Sequence, residues 1–243
     1  MTTYGLIGYP LGHSFSRKFF TEKFAKEGID AQYLNFEIPS IEEFPNIIKN
    51  NPELRGLNVT IPYKQQVMQF LDDISEEAKA IGAVNVVKVA KEGLTGYNSD
   101  VIGFVNSIKP LLKPHHKKAL ILGTGGASKA IRYGLEKKLG MKTLFVSRSA
   151  REGMITYEEV TAEVLKEYEV IVNCSPVGMY PHVDECPALP YEAMNENNLL
   201  YDLVYNPLET LFMKKGAAQG ATVKNGLEML HLQAIASWEF WEK

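Results

Sequence analysis

The chain is poor in cysteine: Cys174 and Cys186 are the only two in 243 residues. Two thiols do not build a disulfide framework. With the five histidines they show none of the short ligand spacings of zinc sites, so neither a stapled secreted domain nor a metal centre is expected. A basic excess is also lacking. The formal net charge is −3, and the one basic cluster, Lys113 to Lys118, reads as a linker and not as a phosphate-tracking surface, which argues against nucleic acid as a partner. No apolar run approaches the roughly 20 residues of a membrane span. The opening Met-Thr-Thr-Tyr-Gly-Leu-Ile-Gly has no basic stretch leading into an apolar one, so neither a secretory signal nor a membrane partner is expected. A reducing, cytoplasmic setting fits these absences.

What is present is globular. Apolar residues make up 45% and charged residues 23%, near the average for folded domains, and the length suits two modest domains. Periodicity predicts strands at Tyr4–Ile7, Gln32–Glu37 and Leu57–Thr60, with helices at about Ser16–Glu27, Ile41–Lys49 and Lys64–Leu71. A hairpin follows, Ala83–Val89 with Leu94–Tyr97, and then a helix from about Val101 to Leu112. The Pro- and Lys-rich stretch after it is the natural domain boundary. Beyond it come an apolar strand at Lys118–Leu122, a helix at Lys129–Leu139, and strands at Lys142–Ser147, Val170–Asn173 and Leu199–Leu203. This alternation predicts a doubly wound parallel sheet in an α/β protein. One long helix, Gly226–Trp241, closes the chain. Its Trp238, Phe240 and Trp241 fit core packing better than a partner interface.

Leu120-Ile-Leu-Gly-Thr-Gly-Gly-Ala-Ser is a strand that ends in glycines and opens a helix. Gly123 permits a tight turn, Gly125 lets the backbone approach a pyrophosphate, and small Ala127 and Ser128 allow close helix packing. Thr124 and Gly126 complete the turn, whose free N–H groups would face phosphate. A third glycine is missing; Ser128 stands in its place. The next predicted strand ends in Ser147-Arg148-Ser149. An acidic residue there would hold a ribose 2′-hydroxyl; an arginine suits a 2′-phosphate, so NADP is favoured over NAD. A solvent-facing Arg in a turn is the plain alternative.

In the first half, small polar groups cluster at Ser14-Phe15-Ser16, at Asn58 to Lys64, and at Asn85 with Asn98-Ser99-Asp100. Reduction of a carbonyl needs a proton for the developing alkoxide. Lys64 can supply one and Asp100 can orient it. Read singly, the serines and Asp100 serve equally well as helix caps, and Lys64 as a surface residue.

Taken together, these motifs resemble the shikimate dehydrogenase family, in order and over nearly the whole chain. The resemblance runs through His13-Ser14-Phe15-Ser16, Asn58-Val-Thr-Ile-Pro with Lys64, Gly82-Ala-Val-Asn85 and Asn98-Ser-Asp-Val-Ile-Gly103. It continues at the glycine turn, Asn173-Cys-Ser-Pro-Val-Gly-Met179, Asp202-Leu-Val-Tyr-Asn-Pro207 and Gly226 to Gln233. It implies NADPH-linked reduction of 3-dehydroshikimate to shikimate in aromatic amino-acid (chorismate) biosynthesis. Lys64 and Asp100 would be the catalytic pair. Ser14, Ser16, Thr60, Asn85, Tyr205 and Gln233 would contact the substrate carboxylate or hydroxyls. The turn Gly123 to Ser128, together with Ser147, Arg148 and Ser149, would hold the cofactor's phosphates, Leu203 and Gly226 would line its nicotinamide side, and Glu76 matches a further cofactor position.

The implied architecture is a substrate domain over residues 1–104, a Rossmann-like NADP-binding domain over 105–224, and a C-terminal helix, 225–243, returning to the first, in a monomer or homodimer. Two departures fall on the adenosine side. Ser147 and Ser149 replace the family's usual Asn and Thr, and the segment after Arg148 reads as irregular where a helix is common. A broader quinate/shikimate dehydrogenase using NAD, a non-catalytic NADP sensor and a folate-acting dehydrogenase are the competing readings. The hydroxyl- and amide-rich loops suit a small polyol acid better than a folate.

Overall fold

A short run buried almost throughout at the amino terminus forms β1 (Thr2–Gly8), followed by α1 (Phe15–Glu27) and β2 (Ala31–Glu37). The computed structural model describes residues 1–12 and 15–243, so the candidate Ser14 lies outside the described residues. By its internal packing the chain divides into two units: Met1–Ser99 with Gln233–Lys243, and Asp100–Leu232.

The first unit continues with a 3-10 turn at Ile41–Glu43 that leads into α2 (Phe44–Asn50). Next come β3 (Leu54–Val59), β4 (Asp73–Ile74), α3 (Glu76–Ile81), β5 (Val86–Ala90) and β6 (Gly93–Tyr97). Its sheet has the order β2-β1-β3-β5-β6-β4. β1 pairs in parallel with both β2 and β3, while β5 runs antiparallel to β3 and β6. The helix expected at Lys64–Leu71 is instead a 3-10 stretch, Gln66–Phe70. It is a short element held by the burial of Val67 rather than by an apolar helical face.

The second unit opens with α4 (Asp100–Ile108) and continues through β7 (Lys118–Leu122), α5 (Gly126–Tyr133), β8 (Lys142–Ser147) and β9 (Met154–Thr156). Then follow α6 (Ala162–Glu167), β10 (Val170–Asn173), β11 (Leu199–Asp202), α7 (Leu211–Ala218) and β12 (Thr222–Lys224). Its sheet is parallel throughout, in the order β12-β11-β10-β7-β8-β9. Counted from β7, that is the doubly wound order, and it reverses between β7 and β10. Ala119 to Leu122 and Val170 to Val172 are fully buried, as strands covered on both faces must be. The predicted helix Lys129–Leu139 starts earlier, at Gly126, and ends in a wider π-helical turn, Gly134–Lys138. The segment after Arg148 carries no helix before Tyr157; β9 stands there instead.

The division after Ser99 differs from the expected boundary at 104/105. The reason is α4: its Phe104 packs edge-on against Tyr201 of β11 (5.2 Å), and its Ser107 hydroxyl bonds the Tyr201 phenol at 2.6 Å. The last helix, α8 (Leu227–Glu242), begins in the second unit and passes into the first at Gln233, eight residues after the expected 224/225 boundary. There Trp241 stacks on Tyr4 at 4.9 Å and donates its indole N–H to the Val87 carbonyl at 3.1 Å. A Cβ on Gly56 would run into that indole, so β3 carries glycine where the helix crosses it. Phe240 stacks on Tyr97 at 4.3 Å, and Trp238 meets Tyr4 edge-on at 5.3 Å, so these aromatics are core.

Candidate active-site residues in the two units

The expected dinucleotide turn sits at the point where the strand order of the second unit reverses, which is where open α/β sheets bind their ligands. Gly123 leaves β7 with φ +95°, a conformation that favours glycine, and a Cβ there would meet Ser175, just past β10, at 3.3 Å. Gly125 precedes α5 with φ −73° and ψ 179°, which any residue adopts. A Cβ on Gly125 or Gly126 would meet nothing within 4 Å. Neither fold nor backbone therefore demands glycine at these two positions. What a side chain would occupy is the open space before the helix N-terminus, where a pyrophosphate would lie. Thr124 and Gly125 are exposed, and Ala127 is half-buried. Ser128 is turned inward, its hydroxyl donating to the Gly125 carbonyl at 2.6 Å, so it shapes the turn. These residues fit a bound dinucleotide.

Arg148 is exposed just beyond β8, and the Ser149 amide donates to the buried Ser147 hydroxyl at 3.4 Å. The Arg148 charge also reaches Tyr157, whose phenol burial pushes above its ordinary range. At the ends of β10 and β11 lies a buried group that sequence reasoning missed. The Asp202 carboxylate accepts from Asn173 Nδ2 and the Val204 amide, both at 3.0 Å, and from the Thr210 hydroxyl at 2.7 Å. Burial still pushes its pKa up to about 6. Asn173 in turn accepts from the Ser175 amide at 3.1 Å and the Ser175 hydroxyl at 2.6 Å. Leu203 donates its amide to the Asn173 carbonyl at 3.0 Å, and Gly226 packs so tightly on the Leu203 backbone that any Cβ would overlap it. The cluster thus fixes Ser175 beside Gly123 and Leu203 beside Gly226. Tyr205 is 38% exposed in the following loop. Asp100 is buried at the first position of α4, where the helix dipole favours an acid.

In the first unit, Lys64 follows β3 half-buried, its carbonyl accepting the Val84 amide at 2.8 Å. Thr60 is half-buried, with its amide on the Ile7 carbonyl at 2.9 Å. Asn85 is buried. Its Oδ1 accepts the Ser99 amide at 2.7 Å and its Nδ2 donates to the Ser99 hydroxyl at 3.0 Å. Ser16 lies in α1 in hydrogen-bond contact with the Tyr33 phenol, and Gln233 is half-buried on α8. The structure thus brings Ser16, Thr60, Lys64, Asn85 and Gln233 into one unit. The glycine turn, Ser147, Arg148, Ser149, Leu203 and Gly226 lie in the other. Glu76 belongs to the first unit and the other cofactor candidates to the second. It is 92% exposed and ion-paired with Lys79 at 2.9 Å. Among the described residues no group of three His, Cys, Asp or Glu is placed to hold a metal, and no helix is long and apolar enough to cross a membrane.

A family model, the shikimate dehydrogenase substrate binding domain, matches residues 6–87. An NADP(+)-dependent shikimate dehydrogenase of Caldicellulosiruptor saccharolyticus is 35% identical, covering 97% of this chain and 90% of its own. A shikimate dehydrogenase crystallised with NADP+ superposes with a TM-score of 0.89 at 30% identity, over 99% of this chain and 89% of its own. The Thermus thermophilus enzyme, solved with NADP(H) and shikimate, gives 0.86 at 31%, over 99% and 93%. Similarity of this level over nearly the full length of the chain places it in the shikimate dehydrogenase family.

Proposed function

We propose that this chain is an NADP-dependent shikimate dehydrogenase, interconverting 3-dehydroshikimate and shikimate within aromatic amino-acid biosynthesis, in the cytoplasm, as a monomer or homodimer. The carrying observation is the similarity to NADP-dependent relatives over nearly the full length, joined to a glycine turn whose two central glycines have no reason within the fold. In this reading residues 1–99 with the end of α8 supply most of the substrate contacts, and residues 100–232, apart from Asp100 and Tyr205, bind cofactor. Bound NADPH supplies the hydride. Lys64 holds a proton for the oxygen that becomes the hydroxyl, and Asp100 orients that exchange. Ser14, Ser16, Thr60, Asn85, Tyr205 and Gln233 hold the carboxylate and ring hydroxyls. The Gly123–Ser128 turn and Arg148 hold the phosphates, with Leu203 and Gly226 beside the nicotinamide.

The test is the absorbance of reduced nicotinamide with purified protein, shikimate and NADP, repeated with NAD and with quinate. Rapid NADP reduction with shikimate is the expected result. Equal rates with NAD or quinate would make the chain a broader dehydrogenase. Tight NADP binding with no turnover in any combination would overturn the enzymatic reading.

A further inference from the structure

A continuous chain of hydrogen bonds runs through the first unit and touches three of its candidate substrate residues. It starts at Ser16, in contact with the Tyr33 phenol. Tyr33 donates to Asn58 Oδ1 at 2.8 Å, which leaves the Asn58 amide nitrogen to donate to the Ser237 hydroxyl at 2.9 Å. Ser237 donates one turn back along α8, to the Gln233 carbonyl at 2.8 Å. Its proton being committed there, Ser237 accepts in the 3.2 Å contact with the Ser99 hydroxyl, whose one proton is shared between Ser237 and Asn85 Oδ1 at 3.3 Å. Ser99 accepts from Asn85 Nδ2 and donates its own amide to Asn85 Oδ1, which fixes which end of that amide points where. Tyr33, Ser99 and Ser237 are only 3%, 0% and 1% exposed. Water cannot replace a missing partner at such positions without cost.

We propose that Ser237 is a positioning residue for substrate binding. From α8 it holds Asn58 and Ser99, and through them it sets the orientation of Asn85 and Ser16 relative to Gln233, with Tyr33 as the link to α1. The proposal rests on the substrate-binding reading given above. A serine inside an apolar helix stabilises nothing by its own propensity, and alanine would serve α8 better if only packing mattered there. This hydroxyl joins α8 both to Asn58 of β3 and to Ser99.

Steady-state kinetics of Ser237→Ala test this, with Tyr33→Phe as a second variant. Tyr33→Phe removes only the hydroxyl and keeps the ring that stacks on Phe20 at 4.9 Å, so the packing around it is preserved. Ser237→Ala is expected to raise KM for shikimate about tenfold and Tyr33→Phe about threefold, the scale of one buried hydrogen bond. KM for NADP and kcat should stay within about twofold. Exchange of the Asn58 and Asn85 side-chain amide protons, followed without any ligand, should quicken in Ser237→Ala. Unchanged exchange would overturn the network. Faster exchange with an unchanged KM for shikimate, or equal loss in both KM values and kcat, would overturn the positioning role. A wild-type protein that turns over no shikimate overturns the underlying reading, and is seen before any variant is made.

Discussion

Each unit buries a polar cluster where strands of its sheet end, and the two clusters are built from opposite chemistry. In the first unit the linked side chains Tyr33, Asn58, Asn85, Ser99 and Ser237 are neutral. Burial pushes the Tyr33 phenol far above its ordinary range, so none of these five changes charge in ordinary buffers. In the second unit the centre is a carboxylate, Asp202, fully buried and fed by Asn173, Val204 and Thr210. A neutral cluster gives directional order that is insensitive to pH. A buried carboxylate gives stronger individual hydrogen bonds but carries a desolvation cost that depends on its protonation. The unit read as holding a polyol thus orients its amides with neutral partners, and the unit read as holding the dinucleotide anchors two loops on a charge.

The largest effect that divides the units is chemical. Lys64→Ala is expected to lower kcat by roughly 10²- to 10⁴-fold, the usual weight of a positioned acid, while KM for NADP barely moves. A variant with normal kcat and a raised KM for shikimate would make Lys64 a binding residue only.

The next effect bears on the charged cluster directly. Asp202 ionises near 3.8 when unfolded and at about 6 when folded. The folded state therefore holds the proton more tightly. The stability this adds is complete below pH about 4 and lost as pH rises through about 6, a difference of roughly 2–3 kcal/mol. Asn at this position keeps the oxygen that accepts from Asn173 and Val204, and its amide can donate to Thr210. Relative to wild type, Asp202→Asn should gain stability steadily between about pH 4 and 7 and then level off. The nearby Cys174 and Tyr191, both pushed up by burial and by the Asp202 charge, stay neutral over that range and do not blur it. In Ser237→Ala the loss of stability should be the same at both ends of that window. Melting curves of both variants against pH check the contrast, and a flat Asp202→Asn difference would erase it.

Much of this was legible in the sequence where one local signal sufficed. The buried run Ala119–Leu122 with its glycines gave strand, turn and helix, and the aromatic spacing of α8 gave a core helix. Short elements escaped. α3, α6 and α7 run six to eight residues, too few for a periodic face, although their N-caps Ser75, Thr161 and Thr210 stood in plain view. The three-residue edge strands β9 and β12 have no period to read. Ser237 could not be singled out, because its partners Asn58 and Ser99 lie 179 and 138 residues away. Asp202 was visible only as one letter of a motif; its burial is a property of the sheet. Composition marks the Pro- and Lys-rich stretch as a linker, whereas the packing of Phe104 on Tyr201 holds α4 in the second unit.

The smallest expected effect tests how the second unit selects its cofactor. Arg148 is solvent-exposed beyond β8, with serines on both sides and β9 following in place of a helix. An exposed guanidinium beside a 2′-phosphate gains less than a buried one, because water and salt screen the pair. Arg148→Gln should therefore raise KM for NADP only about three- to tenfold and leave KM for NAD unchanged, with the difference shrinking as ionic strength rises. A rise in both KM values would mean that Arg148 shapes the loop and does not read the phosphate. No change in either would move selectivity to the hydroxyls of Ser147 and Ser149, of which Ser147 is buried and already engaged with its neighbour's amide. In each case KM for shikimate should hold, since every residue assigned to phosphate recognition belongs to the unit spanning Asp100–Leu232 while Ser16, Asn85 and Gln233 belong to the other.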